Sequence, residues 1–329
     1  MIRTRTAEQR GSTSEINQQE LWLPVQVVGL WMRAMLRVVF GCCLLAVMAA
    51  SAATEFRPRK GDRIVVLGGT FAERMQHQGY VETLLHLRYP GHELSVRNMG
   101  WSGDTVDLMP RPLEFGSLET HLTNAAADVI LLCFGGNESF AGKEGIEKFR
   151  NGLQNLIGRL RAQKFNGKAE PRIAVVSPIA HEDIGGRYPD PRKHNYDLER
   201  YTRLMAEVAK REGLPFVDLF KPTRAKMRAR SQLTVNGVHL NERGQKMLAE
   251  ELTKLKYQAA YEKLRSMIVE KNRLFFLRWR PVNGEYVYGR RKRPFGVLTY
   301  PPEMGRLDQM VSELDGKIWA EVKRLGGVQ

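Results

Sequence analysis

The stretch Ile64-Val65-Val66-Leu67-Gly68-Gly69-Thr70-Phe71-Ala72-Glu73 constrains this chain more than any other. An apolar, mostly β-branched run proceeds without a polar break and stops at two glycines. Such a run predicts a strand buried on both faces, as in a parallel sheet. The glycines allow a sharp turn, and Thr70 then stands at the mouth of a helix predicted from Glu73 to about Arg88. A nucleophilic hydroxyl is displayed in that way, and a plain helix cap stands in the same place.

The pattern recurs down the chain. Strands are predicted at Leu94 to Asn98, Asp128 to Phe134, Arg172 to Ser177 and Pro215 to Leu219. Helices are predicted from about Lys143 to Gln163 and from about Asn195 to Glu212. Strands alternating with helices predict a three-layer α/β/α, flavodoxin-like domain with a parallel sheet of about five strands. In such a sheet ligands bind beyond the carboxyl ends of the strands. The polar, Gly-rich stretches Gly100 to Thr105, Gly135 to Ser139 and Pro178 to Asp183 all fall there. Further on, Asn236 to Glu242 reads as a loop entering a long helix that reaches about Val269. Phe275 to Met304 is aromatic, Arg-rich and irregular, and a closing helix is predicted from Gly305 to Leu325. The chain thus divides into 1–53, an α/β domain at 54–268, and a C-terminal extension at 269–329 that packs on it, its stripe Phe275, Phe276 and Trp279 serving as core.

With 329 residues, 43% of them hydrophobic, there is enough chain for one large core. Met32 to Arg37 is a short basic region, Val38 to Met48 an apolar run, and Ala50-Ser51-Ala52 a small-x-small cleavage signal. This is the pattern of a secretory signal peptide, too short for a membrane span, with translation starting at Met32 or Met35. The mature protein is therefore expected in the periplasm or outside the cell, with no stable membrane span. Cys42 and Cys43 leave with the leader, so Cys133 alone remains, a core residue without a disulfide or a cysteine-based metal site. The net charge of +15 favours anionic partners such as acidic polysaccharide. Export excludes nucleic acid as a working partner, and Arg290-Arg291-Lys292-Arg293 reads as a solvated face.

Acyl transfer needs a nucleophile, a base, a group that orients the base, and donors for the oxyanion. Thr70 offers the hydroxyl and His239 the imidazole, with Asn236 three residues earlier to orient that ring through its side-chain oxygen. The Gly103 N–H and the Asn137 amide are candidate oxyanion donors. In His181-Glu182-Asp183 adjacent side chains point apart, so His181 fits a substrate contact better than a metal site. Ser102 is a second candidate contact or a substitute nucleophile. No metal or other cofactor is expected.

These blocks, in this order, resemble those of the SGNH (GDSL) hydrolase superfamily over about Gly61 to Leu252. Its Gly-Asp-Ser block is matched by Gly68-Gly69-Thr70, its second-block glycine by Gly103, its Gly-x-Asn by Gly135-Gly136-Asn137, and its Asp-x-x-His by Asn236-Gly237-Val238-His239. The resemblance implies an esterase acting on acyl or acetyl esters, saccharide esters included, through a serine-hydrolase-like mechanism. Three positions depart from it: Thr70 replaces the serine, Asn236 the aspartate, and Gly69 the residue before the nucleophile. The threonine methyl crowds attack. Asparagine for the triad aspartate costs a serine protease ~10⁴-fold in kcat through the wrong histidine tautomer. Two readings follow: an ester hydrolase using Thr70, and a silent module that binds a saccharide or ester in the same pocket.

Overall fold

Five short strands carry the molecule: β1 (Arg63–Gly68), β2 (Ser95–Asn98), β3 (Val129–Cys133), β4 (Arg172–Val176) and β5 (Phe216–Val217). They pair in parallel in the order β2-β1-β3-β4-β5. This is the flavodoxin-like order expected from the alternation, with its switch point between β1 and β3. The helices are α1 (Thr70–Gln78), α2 (Tyr80–Arg88), α3 (Leu118–Asn124), α4 (Ile146–Arg161), α5 (Pro191–Arg211), α6 (Phe220–Lys226), α7 (Glu242–Thr253), α8 (Glu262–Trp279) and α9 (Tyr300–Arg324). This computed structural model describes residues 56–112, 115–227, 231–280, 293 and 300–326. The leader with Cys42 and Cys43, the basic run apart from Arg293, and residues 281–292 and 294–299 of the tail lie outside the described residues.

Alternate residues of a strand face opposite sides of the sheet, and here both sides are covered. Val65, Leu67, Ile130, Leu132, Ile173 and Val175 pack with Leu153 and Leu156 of α4 and Val208 of α5. Ile64, Val66, Val129 and Val176 turn the other way, onto Ala72 of α1, Phe220 of α6 and Leu248 of α7. That double burial is why the strands read as unbroken apolar runs. Cys133 belongs to this core, and burial pushes its thiol up to about 12. No helix among the described residues is long and apolar enough to cross a membrane.

Two expected helices and the expected tail differ. The helix of Glu73 to Arg88 is two helices: it starts at Thr70 and breaks at Gly79, whose φ of 68° is left-handed. The long helix after Glu242 stops where Lys254 turns left-handed (φ 57°), and α8 restarts at Glu262. Phe275, Phe276 and Trp279 are the end of α8 rather than an irregular tail, and α8 runs without a break through the 268–269 boundary. Its buried positions Leu264, Ile268, Lys271, Phe275 and Trp279 repeat at helical spacing. Phe275 and Trp279 join the core of the sheet, as expected of an aromatic stripe.

Two glycines let backbones meet at the mouth of the sheet. A Cβ on Gly68 would lie 2.2 Å from the Cys133 carbonyl oxygen, and one on Gly100 would lie 2.4 Å from the Glu73 nitrogen. Gly100→Ala is therefore expected to cost about 1–3 kcal/mol through overpacking, read by urea unfolding. It should also shift the first turn of α1, which carries Thr70.

Candidate active site

Beyond the carboxyl ends of β1, β3 and β4 lies a pocket of about 610 Å³, open solvent included. Its wall brings together Thr70, Asn137, His181, His194 and His239. Thr70 is the first residue of α1, and Gly69, not Thr70, is the N-cap. The Thr70 hydroxyl makes no hydrogen bond among the described residues, so it is free rather than spent on capping. It also has no hydrogen bond to the His239 ring.

The loop after β2 is pinned by Asn98, whose amide donates to the Ala72 carbonyl (2.7 Å) and whose oxygen accepts the Gly100 N–H (2.9 Å). Ser102 turns away from the pocket: its N–H donates to the Glu73 carboxylate at 2.6 Å and its hydroxyl donates to the same group. Gly103 is exposed, with φ 91°, and its neighbour Asp104 borders the pocket in its place. Asn137 follows β3 with a side-chain amide that makes no hydrogen bond among the described residues. Beside it the Glu138 carboxylate accepts the Val106 N–H (3.0 Å) and the Gly135 N–H (2.8 Å), tying the two loops together. Burial raises the Glu138 carboxyl above its ordinary range, outweighing those hydrogen bonds.

His239 lies 2.9 Å from Asn236, ring Nδ1 against the side-chain amide nitrogen. The oxygen expected to face the ring instead accepts the backbone N–H of His239 (3.0 Å) and of Val238 (3.4 Å). Turning the amide over would set NH₂ against two N–H donors, so this orientation is fixed by its neighbours. Nδ1 must then accept, and the ring proton sits on Nε2. An aspartate would accept from Nδ1–H and leave Nε2 bare, as a base requires. Asn236 thus makes His239 a donor toward the pocket. Burial, followed by the charge of Arg74, holds this ring below the usual histidine range.

The side chains of His181, Glu182 and Asp183, in the loop after β4, diverge. His181 faces His194, with Nδ1 to Nδ1 at 3.0 Å, and Asp183 receives the Gly185 N–H. Glu182, 1% exposed, accepts the N–H groups of Leu233 (2.9 Å) and Thr234 (2.7 Å). His181 lines the pocket, and Glu182 holds the segment leading to His239. The backbone of His181 is clamped by Asn195, whose oxygen accepts its N–H (2.9 Å) and whose amide donates to its carbonyl (2.8 Å).

Residues 60–247 match the GDSL-like lipase/acylhydrolase family. This chain belongs to that family. It is a carboxylic ester hydrolase by descent. No curated protein sequence matches it. Among solved structures it is similar to a catalytic mutant of an acetylxylan esterase from Geobacillus stearothermophilus, at 20% identity over 60% of this chain and 95% of that one, TM-score 0.47. It is similar to the native M. smegmatis aryl esterase at 17% identity over 63% and 99%, TM-score 0.45. A gut microbial diltiazem-metabolizing enzyme matches at 20% identity and TM-score 0.47 over 62% of this chain, which spans about half (49%) of that protein.

Within this GDSL-like acylhydrolase, several site residues escape the sequence. His194 falls just before the helix predicted at Asn195, and nothing in its spacing links it to His181. Glu138 and Ser139 sit directly after a family block and carried that much signal. Arg280, at the end of α8, pairs with Glu73 at 3.1 Å and stacks over Trp101 at 3.7 Å, so the C-terminal region touches the loops of the site.

Proposed function

We propose that this acylhydrolase is exported and removes short acyl groups, acetyl among them, from saccharides, with the Thr70 hydroxyl as nucleophile. The observation that carries this reading is that hydroxyl, without a hydrogen-bond partner among the described residues, at the N-terminus of α1 and sharing one pocket with the Asn137 amide. The N-terminal end of a helix favours negative charge, which supports attack by a developing alkoxide. Asn137 is the oxyanion donor of the reading, joined by the Nε2–H of His239 in the manner of a neutral, electrophilic imidazole, whereas Gly103, expected in that role, does not border the pocket. Phe134, Pro178, Ile179 and Val238 give the pocket apolar walls suited to a short acyl chain. The exposed ring of Phe140 offers a flat face for the alcohol part. The leader pattern supports export, and the charge of +15 supports an acidic polysaccharide as carrier.

The test is hydrolysis of a small acetyl ester and a panel of acetylated oligosaccharides by the mature chain. Thr70→Ala should lower kcat by about 10³-fold or more, and His239→Ala by about 10²-fold, the loss of one oxyanion donor. Because burial holds His239 below its ordinary value of 6.5, its neutral form survives as pH falls through that value. Activity should therefore persist there. A folded parent inert toward every ester would leave the silent binding module as the better account.

A further inference from the structure

His181 and His194 form a second imidazole pair in the pocket, and the hydrogen bonds around them fix where each proton sits. Ser139, fully buried, has one hydroxyl proton and two neighbours: the Gly136 carbonyl at 2.7 Å and His194 Nε2 at 2.9 Å. A carbonyl only accepts, so Ser139 donates to Gly136 and accepts from His194 Nε2–H. A neutral imidazole holds one ring proton, which makes His194 Nδ1 an acceptor. Its partner at 3.0 Å is His181 Nδ1, which must then donate. His181 Nε2 is left as a bare lone pair with no hydrogen bond among the described residues. A Cβ at Gly237 would lie 2.5 Å from that nitrogen, so the Gly237 backbone packs beside this edge of the ring and no larger residue fits there. Both rings are neutral at pH 7: burial pulls each below the usual histidine range, His194 to about 4.

The pocket therefore holds two neutral imidazoles of opposite character, a donor at His239 and an acceptor at His181. We propose that His181, rather than His239, is the general base, with His194 and Ser139 as its proton relay. This rests on the hydrolase reading above. The Thr70 O–H bond breaks, directly or through one water, as its oxygen bonds to the acyl carbon and the carbonyl electrons move onto oxygen. The proton goes to His181 Nε2, and the Nδ1 proton of that ring passes to His194 Nδ1. The positive charge is thereby spread over the two rings, since burial resists holding it on His194 alone, and the Phe140 ring stacked at 4.0 Å and the Asp197 carboxylate offset part of that cost. Collapse breaks the bond to the leaving oxygen, which takes the proton back from His181. Water then repeats the cycle on the acyl-Thr70 ester, its proton going to His181 and on to the departing Thr70 oxygen.

The experiment pairs kinetics on the acetyl ester with ¹⁵N spectra of the ring nitrogens in the whole mature chain. His181→Gln should lower kcat by about 10²–10⁴-fold, the worth of a general base. Adding Asn236→Asp to that variant should recover at least about tenfold, because the carboxylate moves the lone pair of His239 to Nε2. The spectra should show Nε2 bare on His181 and protonated on His239, and His194→Ala should leave His181 averaging between its two tautomers. His181→Gln turning over within about threefold of the parent, while Thr70→Ala does not, would overturn the base assignment and leave the hydrolase reading standing. A rise toward ~10⁴-fold in Asn236→Asp alone would give the role to His239. Protonated Nε2 on His181 would overturn it whatever the kinetics. A parent inert on every ester would sink the hydrolase reading and this base with it.

Discussion

Glu182→Ala is expected to lose about 3 kcal/mol of stability and at least about 10²-fold in turnover, a joint effect that follows from what the carboxylate holds. It is 1% exposed and accepts at both oxygens: Oε1 from the Ser231 hydroxyl (2.8 Å) and the Leu233 N–H (2.9 Å), Oε2 from the Thr234 N–H (2.7 Å) and hydroxyl (2.5 Å). Its own N–H donates to the Gly237 carbonyl at 2.8 Å. Leu233 and Thr234 are themselves buried, so truncation strands two backbone N–H groups away from water, each worth about 1–3 kcal/mol before relaxation. The same segment leads into the turn that aims Asn236 at His239. A displacement of about 1 Å in such a group can cost ~10² in rate. Urea unfolding reads the first effect and kcat on an acetyl ester the second. Glu182→Gln keeps one accepting oxygen and should fall between the two. A truncation that unfolds like the parent would show that water replaces the carboxylate at no cost.

The frame of this fold was open to reading because its strands are buried on both faces. Ile64 to Leu67 and Val129 to Cys133 had no room for a polar residue, so they stood out as runs. Gly79 and Lys254 break helices inside stretches whose apolar spacing continues, and a single left-handed residue leaves little trace in periodicity. At the site, residues that follow a strand directly, such as Thr70, Asn137 and His181, were legible because topology delivers them to one mouth. His194 was not, since its pairing with His181 arises from how α5 docks. The identity of Asn236 was plain, yet which of its atoms meets His239 depends on two backbone N–H groups of the turn. That choice decides whether the imidazole donates or accepts.

Lys271→Met should cost about 3–5 kcal/mol, the range for leaving a buried charge without its partner. Lys271 is completely buried on α8, and its three N–H bonds go to Glu82 Oε1 (2.6 Å), the Val96 carbonyl (2.8 Å) and Asn272 Oδ1 (2.8 Å). Three acceptors around one amine require an ammonium. Burial pulls Lys271 below the usual lysine range and by itself would push the Glu82 carboxyl up. The charge of Lys271, with the hydrogen bond and charge of His86, wins and takes that carboxyl from 4.5 down to about 2. A carboxyl lowered by folding contributes stability that is present above its unfolded value. That contribution should drain away between about pH 4.5 and pH 2. Lys271→Met removes the charge that lowers Glu82 along with the pair, so burial shifts that carboxyl upward and the acid-side loss should shrink or reverse. Adding Glu82→Leu should recover much of the loss, because an apolar replacement strands no charge. Urea unfolding of the single and double variants at pH 7 and pH 4 separates the two effects. The pair fastens α8 to α2 and β2, and the same helix ends at Arg280 beside Glu73 and Trp101. The double variant, with the helix docked again, should therefore turn over an acetyl ester at nearly the parent rate.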